Sequence, residues 1–229
     1  MLANIYLHYA FDCWADHWRK HQAQGQVMIV RYADDFVVGF QSRRDAERFR
    51  DELKDRLRKF GLELHPEKTR LIEFGRRANE NRRRRGQGKP PTFDFLGFTH
   101  ICGKDRRGRF VVLRQTMATR RRAKLKQIKL ELRLRLHRPV YEVGAWLHRV
   151  VQGYYRYYAV PRNYPALSAF RDEVVRLWRW TLRRRSQKTR ITWERVNRLT
   201  KLWIPPPRIL HPYPEKRLAV MTRGKSPVR

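Results

Sequence analysis

Cysteine is nearly absent from this chain: Cys13 and Cys102 are the only two. Two thiols build neither a disulfide framework nor a four-thiolate zinc site, so a reducing, cytosolic setting is the default expectation. Uninterrupted apolar runs of membrane-spanning length are missing, as is any lipidation signal. The first residues read as amphipathic, so no secretory leader is expected there. Acidic residues are scarce too: 21 Asp and Glu face 54 Lys and Arg, a formal charge of +33. Self-repulsion of that size opposes a compact state unless a polyanion neutralises it. Nucleic acid is the expected partner and a membrane is not. Hydrophobic residues still make up 41% of the 229, which allows a packed core in one large domain or two small ones.

Against that background one stretch stands out, Val27-Met28-Ile29-Val30-Arg31-Tyr32-Ala33-Asp34-Asp35-Phe36-Val37-Val38-Gly39-Phe40. Two β-branched and aromatic runs flank a short break, which predicts two strands joined by a tight hairpin with adjacent carboxylates at its tip. Neighbouring anions repel, and a divalent cation removes that penalty. Polymerases use such carboxylates to hold two metal ions roughly 3.5–4 Å apart. An Asx-type turn that needs no metal is the simpler alternative for an Asp-rich tip.

Tyr32-Ala33-Asp34-Asp35 resembles the catalytic hairpin of reverse transcriptases, in the form found in group II intron-encoded proteins. Two further motifs follow in the family's order. Lys68-Thr69 resembles the element just after the hairpin, read here as a turn and strand over 62–75. Phe93-Asp94-Phe95-Leu96-Gly97-Phe98 resembles the primer grip, with Gly97 in a strand interior, a turn at 104–108 and a return strand over 109–113. Trp146-Leu147 with Gly153-Tyr154-Tyr155-Arg156-Tyr157-Tyr158 resembles the maturase-specific thumb segment. The resemblance implies Mg2+ held by Asp34 and Asp35, dNTP as substrate, and Lys68 as a candidate general acid. It implies Phe95, Leu96, Gly97 and Phe98 as the primer grip. It also implies that the chain corresponds to the C-terminal portion of such a protein, because the family's fingers, its Pro-Gln-Gly segment and its third catalytic aspartate have no counterpart here. The family's endonuclease domain has none either.

The remaining elements follow from periodicity and punctuation. A helix is expected from Met1 to about Lys20, with Leu2, Ile5, Tyr6, Tyr9 and Cys13 as its apolar stripe and Asn4, His8, Asp12 and Asp16 opposite. Cys13, His17 and His21 have helical metal-ligand spacing but lack a fourth ligand. A capping-box-like Ser42-Arg43-Arg44-Asp45 starts a helix with Ala46, Phe49, Leu53, Leu57 and Phe60 inward and Gly61 after its end. Residues 76–92 read as a solvated loop around Arg82, Arg83, Arg84 and Arg85. From Thr116 the texture is helical, with inward stripes Leu125–Ile128–Leu132–Leu136, then Val143 to Tyr158, then a helix from Pro165, then one near 192–203. Basic faces that include Arg120, Arg121, Arg122 and Lys124 surround them. Tyr155 and Tyr157 are the candidate base-stacking residues. A Pro-punctuated extended arm closes the chain.

The expected architecture is therefore α+β: a partial reverse-transcriptase palm over 1–115, its antiparallel sheet backed by helices; an all-α thumb/maturase domain over 116–204; and a basic arm over 205–229. Its expected partners are intron RNA and an RNA/DNA duplex, with a separate chain supplying fingers and the third aspartate as an open alternative. A palm left without those parts should expose an apolar edge.

Overall fold

The computed structural model describes residues 2–185 and 191–213. The architecture is mixed α/β, with antiparallel sheets and a helical region. It divides into two compact units, Met1–Phe74 and Gly75–Arg229.

In the first unit, α1 (Leu2–Leu7), a π-helical turn (His8–Asp12) and α2 (Cys13–His21) form one rod. It packs against a hairpin of β1 (Val27–Tyr32) and β2 (Asp35–Phe40), and against α3 (Arg43–Arg58). The buried face of the rod is not the expected stripe. Leu2, Ile5, Tyr6, Tyr9 and Cys13 are exposed, whereas Phe11, Ala15 and Trp18 are buried at i, i+4 and i+7. The aromatic face wins: Trp18 closes edge-to-face on Phe49 and Phe11 packs on Phe36, ring pairs that the predicted stripe does not form with β2 or α3.

Helix α3 buries Ala46, Phe49, Leu53 and Leu57 as its period demands. Its C-terminus is a Schellman motif: Gly61 has φ 65°, Leu62 N–H donates to Leu57 O at 3.0 Å and Gly61 N–H to Arg58 O at 3.0 Å. The expected capping box does not form. Ser42 makes no side-chain cap. Asp45, almost fully buried, accepts instead from the backbone N–H groups of Gln24 and Gly25, each at 3.0 Å, and so ties the helix to the loop before β1. Residues 62–75 form no strand. Leu62 and Leu64 pack on the core, but the β1–β2 sheet takes no third strand, so no ladder closes. The outward face of β1 is apolar, with Met28, Val30 and Tyr32 exposed.

In the second unit, residues expected as a solvated loop contain α4 (Ala78–Arg84), with Ala78 buried. Strands β3 (Phe93–Phe95), β4 (Phe98–Lys104) and β5 (Phe110–Thr116) form an antiparallel meander, Phe95 pairing with Phe98 and Phe98 with Thr116. Helices α5 (Ala118–Leu134), α6 (Val140–Tyr158), α7 (Tyr164–Arg183) and α8 (Trp193–Trp203) share one core. It includes Ile128, Leu132, Leu147, Val151, Leu167, Phe170, Val174 and Trp178. Thr192 caps α8, its hydroxyl accepting from Arg195 N–H.

The meander belongs with the helices, so the compact division falls at Phe74/Gly75 and not at 115/116. Buried Asn163 accounts for this: its Oδ1 accepts from Thr116 N–H at 3.0 Å, while Nδ2 donates to Thr116 Oγ1 at 2.8 Å and Tyr158 O at 2.7 Å. Residues 204–213 are extended, as expected, but they are packed against the helices. Ile204 and Pro207 are buried, and the N–H groups of Leu210 and His211 both donate to Ala159 O. The basic end of the arm, from Pro214 on, lies outside the described residues.

Candidate active-site hairpin and nucleic-acid surfaces

Asp34 and Asp35 sit at the tip of the β1–β2 hairpin, where Tyr32 pairs with Asp35 across a two-residue turn of Ala33 and Asp34. Ala33 has φ 55°, a positive value at the first central position, as type II′ hairpin turns require. Both carboxylates are exposed, and neither has a hydrogen-bond or ion-pair partner among the described residues. The hairpin fixes where their backbones sit.

Arg31 secures that tip. Its Nε and Nη2 grip Asp12 at 2.7 and 2.6 Å, and Nη1 reaches Ala33 O at 2.7 Å and Asn4 Oδ1 at 3.3 Å. The helical rod therefore anchors the turn through a bidentate pair, the geometry that makes Arg hard to replace by Lys. Sequence reading assigned Asp12 only to an outer helix face. Its one usable signal was an arginine two residues before the turn, too common a pattern to single out.

The hydrogen bonds of Arg31 hold the Asp12 carboxyl below its ordinary range. A folded-state value below the unfolded one means that this pair stabilises above the ordinary carboxylate pKa and loses its effect as pH falls through the lowered value. Arg31→Met is expected to cost about 1–2 kcal/mol at neutral pH, given a pair only partly screened by solvent. The gap to the parent should shrink in acid. Urea titrations at neutral and strongly acid pH test this; a gap independent of pH would contradict the role given to the pair.

Asp34 and Asp35 suit a hard divalent cation such as Mg2+ in ligand type, being unpaired carboxylate oxygens. They fall short in number. No group of three or more His, Cys, Asp or Glu side chains placed to hold a metal occurs among the described residues. Asp12 is committed to Arg31, and Cys13, His17 and His21 form no such group. Lys68 lies exposed in a turn, with no hydrogen bond or ion pair to Asp34 or Asp35.

In the second unit, the segment expected as primer grip is a tight hairpin. Leu96 and Gly97 are its turn, both at positive φ (50° and 75°), the type I′ pattern. Gly97 is thus a turn residue and not part of a strand interior, because Phe95 already pairs with Phe98. The close approach expected there is made by tyrosine side chains. A Cβ on Gly97 would meet Tyr158 Oη at 3.2 Å. Tyr157 donates its hydroxyl to Leu96 O at 2.9 Å and stacks on Phe98. A leucine at φ 50° is strained, and these contacts over-determine it.

Tyr155 is buried, its hydroxyl donating to Pro205 O, and burial pushes its pKa up. It cannot stack on a base, which corrects the sequence expectation: at that position the helix turns inward. Tyr157 is 52% exposed and keeps a free edge. In the Arg82–Arg85 run, Arg84 pairs with Glu80 and Arg82 donates to Gly88 O. Arg120 and Arg122 are exposed on α5, Arg121 is half-buried, and Lys124 donates to Gln127.

Among the described residues no helix is long and apolar enough to cross a membrane. Residues 1–100 match the family model described as reverse transcriptase (RNA-dependent DNA polymerase), a span that holds both the Asp34–Asp35 hairpin and the Phe95–Phe98 turn. A search of curated proteins finds no match to the chain.

Proposed function

We propose that this chain carries the catalytic hairpin of an RNA-directed DNA polymerase of the group II intron type and acts on structured intron RNA as a maturase component. The observation that supports the reading most is the unpaired Asp34–Asp35 tip, braced by Arg31 and Asp12, inside a span matching the reverse transcriptase model. Asp34 and Asp35 would hold Mg2+, whose chemistry is to activate a primer hydroxyl and stabilise the leaving phosphate oxygens. Arg31 keeps the two carboxylates oriented, and Tyr157 keeps the Leu96–Gly97 turn in its strained form. The excess of basic residues supplies phosphate contacts without sequence readout.

Two carboxylates are fewer than a two-metal centre uses. We therefore propose that nucleotidyl transfer needs a further carboxylate from outside the described residues, on a separate chain or elsewhere. Primer extension with Mg2+, dNTPs and an RNA template should show no incorporation by this chain alone. Incorporation should appear on adding a chain that carries fingers and a third aspartate, and disappear in Asp34→Ala. Incorporation by this chain alone, lost in Asp34→Ala, would overturn the split arrangement.

The lack of any three-residue metal group among the described residues also favours a second reading, a non-catalytic RNA-binding protein that aids splicing. Complementation that fails while RNA binding stays tight would select it.

A further inference from the structure

One cluster in the second unit is used by none of the motifs above. Trp180 on α7 is surrounded by three cations, two on α5 and the third Arg184, the residue just after α7. The Arg184 guanidinium carbon lies 4.7 Å from the ring centroid, that of Arg133 5.6 Å, and Lys129 Nζ 5.8 Å. Arg133, Leu136, Trp180, Thr181 and Arg184 line a recess of about 340 Å³.

What sets this cluster apart is that three cations without a carboxylate partner among the described residues share one ring. Arg135, next to it in sequence and placed over Trp146, is neutralised by Glu131, and Arg176 by Glu173. Lys129, Arg133 and Arg184 have no carboxylate partner among the described residues. Being gathered on one ring, any two of them lie within little more than a Debye length, ~10 Å at 0.1 M salt. Attraction to the indole face offsets part of their mutual repulsion. An anion seated among them offsets the rest.

We infer that the recess between α5 and α7 is a nucleic-acid backbone site. Arg133 and Arg184, assisted by Lys129, take adjacent phosphates of an RNA strand, and the Trp180 indole provides the apolar wall against which a sugar or base rests. The inference rests on the RNA-binding part of the proposed function and gives that part a location. It differs from the exposed arginines of α5's first turns, because here an aromatic floor pre-positions the cations, so less freedom is lost on binding.

The test is the salt dependence of binding by the full chain to a stem–loop RNA. Each lost phosphate contact lowers the slope of log K against log salt by about 0.7–0.9. Arg133→Gln/Arg184→Gln should therefore lower it by roughly 1.5 and weaken binding about tenfold or more at moderate salt. The control, Arg106→Gln/Arg107→Gln in the exposed β4–β5 turn, removes the same charge and should change the slope by less than half as much. Without RNA, the Arg133/Arg184 variant should melt no lower than the parent, because neutralisation relieves crowding. A slope change no greater than the control's would overturn the site while leaving RNA binding intact. A flat salt dependence in the parent chain would overturn both.

Discussion

Asn163→Ala is expected to destabilise the second unit by about 2–4 kcal/mol and lower its melting temperature by roughly 10 °C. Asn163 is fully buried, and its amide satisfies three groups at once. Alanine leaves the buried Thr116 N–H without a partner, a loss of about 1–3 kcal/mol, and also removes the donors to Thr116 Oγ1 and to the Tyr158 carbonyl, which keeps only the Val160 N–H. Asn163→Asp should fare little better, since it sets an oxygen against the Tyr158 carbonyl. The damage has a direction: the end of β5 comes loose from the start of α7. Proteolysis should then cut first between the meander and α5. A variant that melts within about 2 °C of the parent would show that the amide matters little.

The second large effect concerns Gly144 on α6. A Cβ built there would stand 2.6 Å from Trp203 Cγ and 2.7 Å from its Cδ1 and Cδ2, well inside contact distance. The indole has little room to yield. It sits at the end of α8, whose start is capped by Thr192; the next residue, Ile204, is buried; and His148 Nδ1 lies 3.0 Å from the Trp203 carbonyl. Alanine in a helix normally gains about 1 kcal/mol over glycine, but overpacking a core costs about 1–3. With three ring atoms at 2.6–2.7 Å the clash lies at the upper end of that range, for a net loss of about 2 kcal/mol. Gly153 is the internal control, because nothing lies within 4 Å of a Cβ placed there. Gly153→Ala should stabilise by roughly 0.5–1 kcal/mol on propensity alone. Opposite signs for two Gly→Ala changes in one helix, read by chemical denaturation, are the expected result. Equal signs would refute the packing argument.

Much of the helical part was readable because its period is strong. The inward stripes of α6 and α7 came out as expected, since Leu, Val and aromatic residues recur there at 3.6-residue spacing; in α5 Ile128 and Leu132 turn inward as expected, although Leu130 and Leu134 stay exposed. The Asp34–Asp35 hairpin was equally legible: β-branched runs on both sides leave little else for the break to be. The first helix misled because its N-terminal apolar residues repeat regularly yet face outward, while Trp14 and Trp18 claim the core. Residues 62–75 misled for a related reason. Alternating leucines read as a strand, but a strand also needs a neighbour to pair with, and that requirement is invisible in local pattern. Tyr155 and Tyr157 look alike in sequence, yet the α6 turn buries one and leaves the other at the rim. Arg31 with Asp12, Asn163 with Thr116, and the cations around Trp180 join residues far apart in the chain, so no local window contains them.

The π-helical turn at His8–Asp12 carries a last implication. Its surplus residue sets the rod before it out of phase with the rod after it by about 100°. That offset allows Asn4 and Asp12 to converge on a single guanidinium while Phe11 and Trp18 still face the aromatic interior. Wound as an ordinary α-helix, the same residues would satisfy one of those two demands and forfeit the other. The steadiness of the acidic tip thus depends on a miscount of one in the helix that braces it.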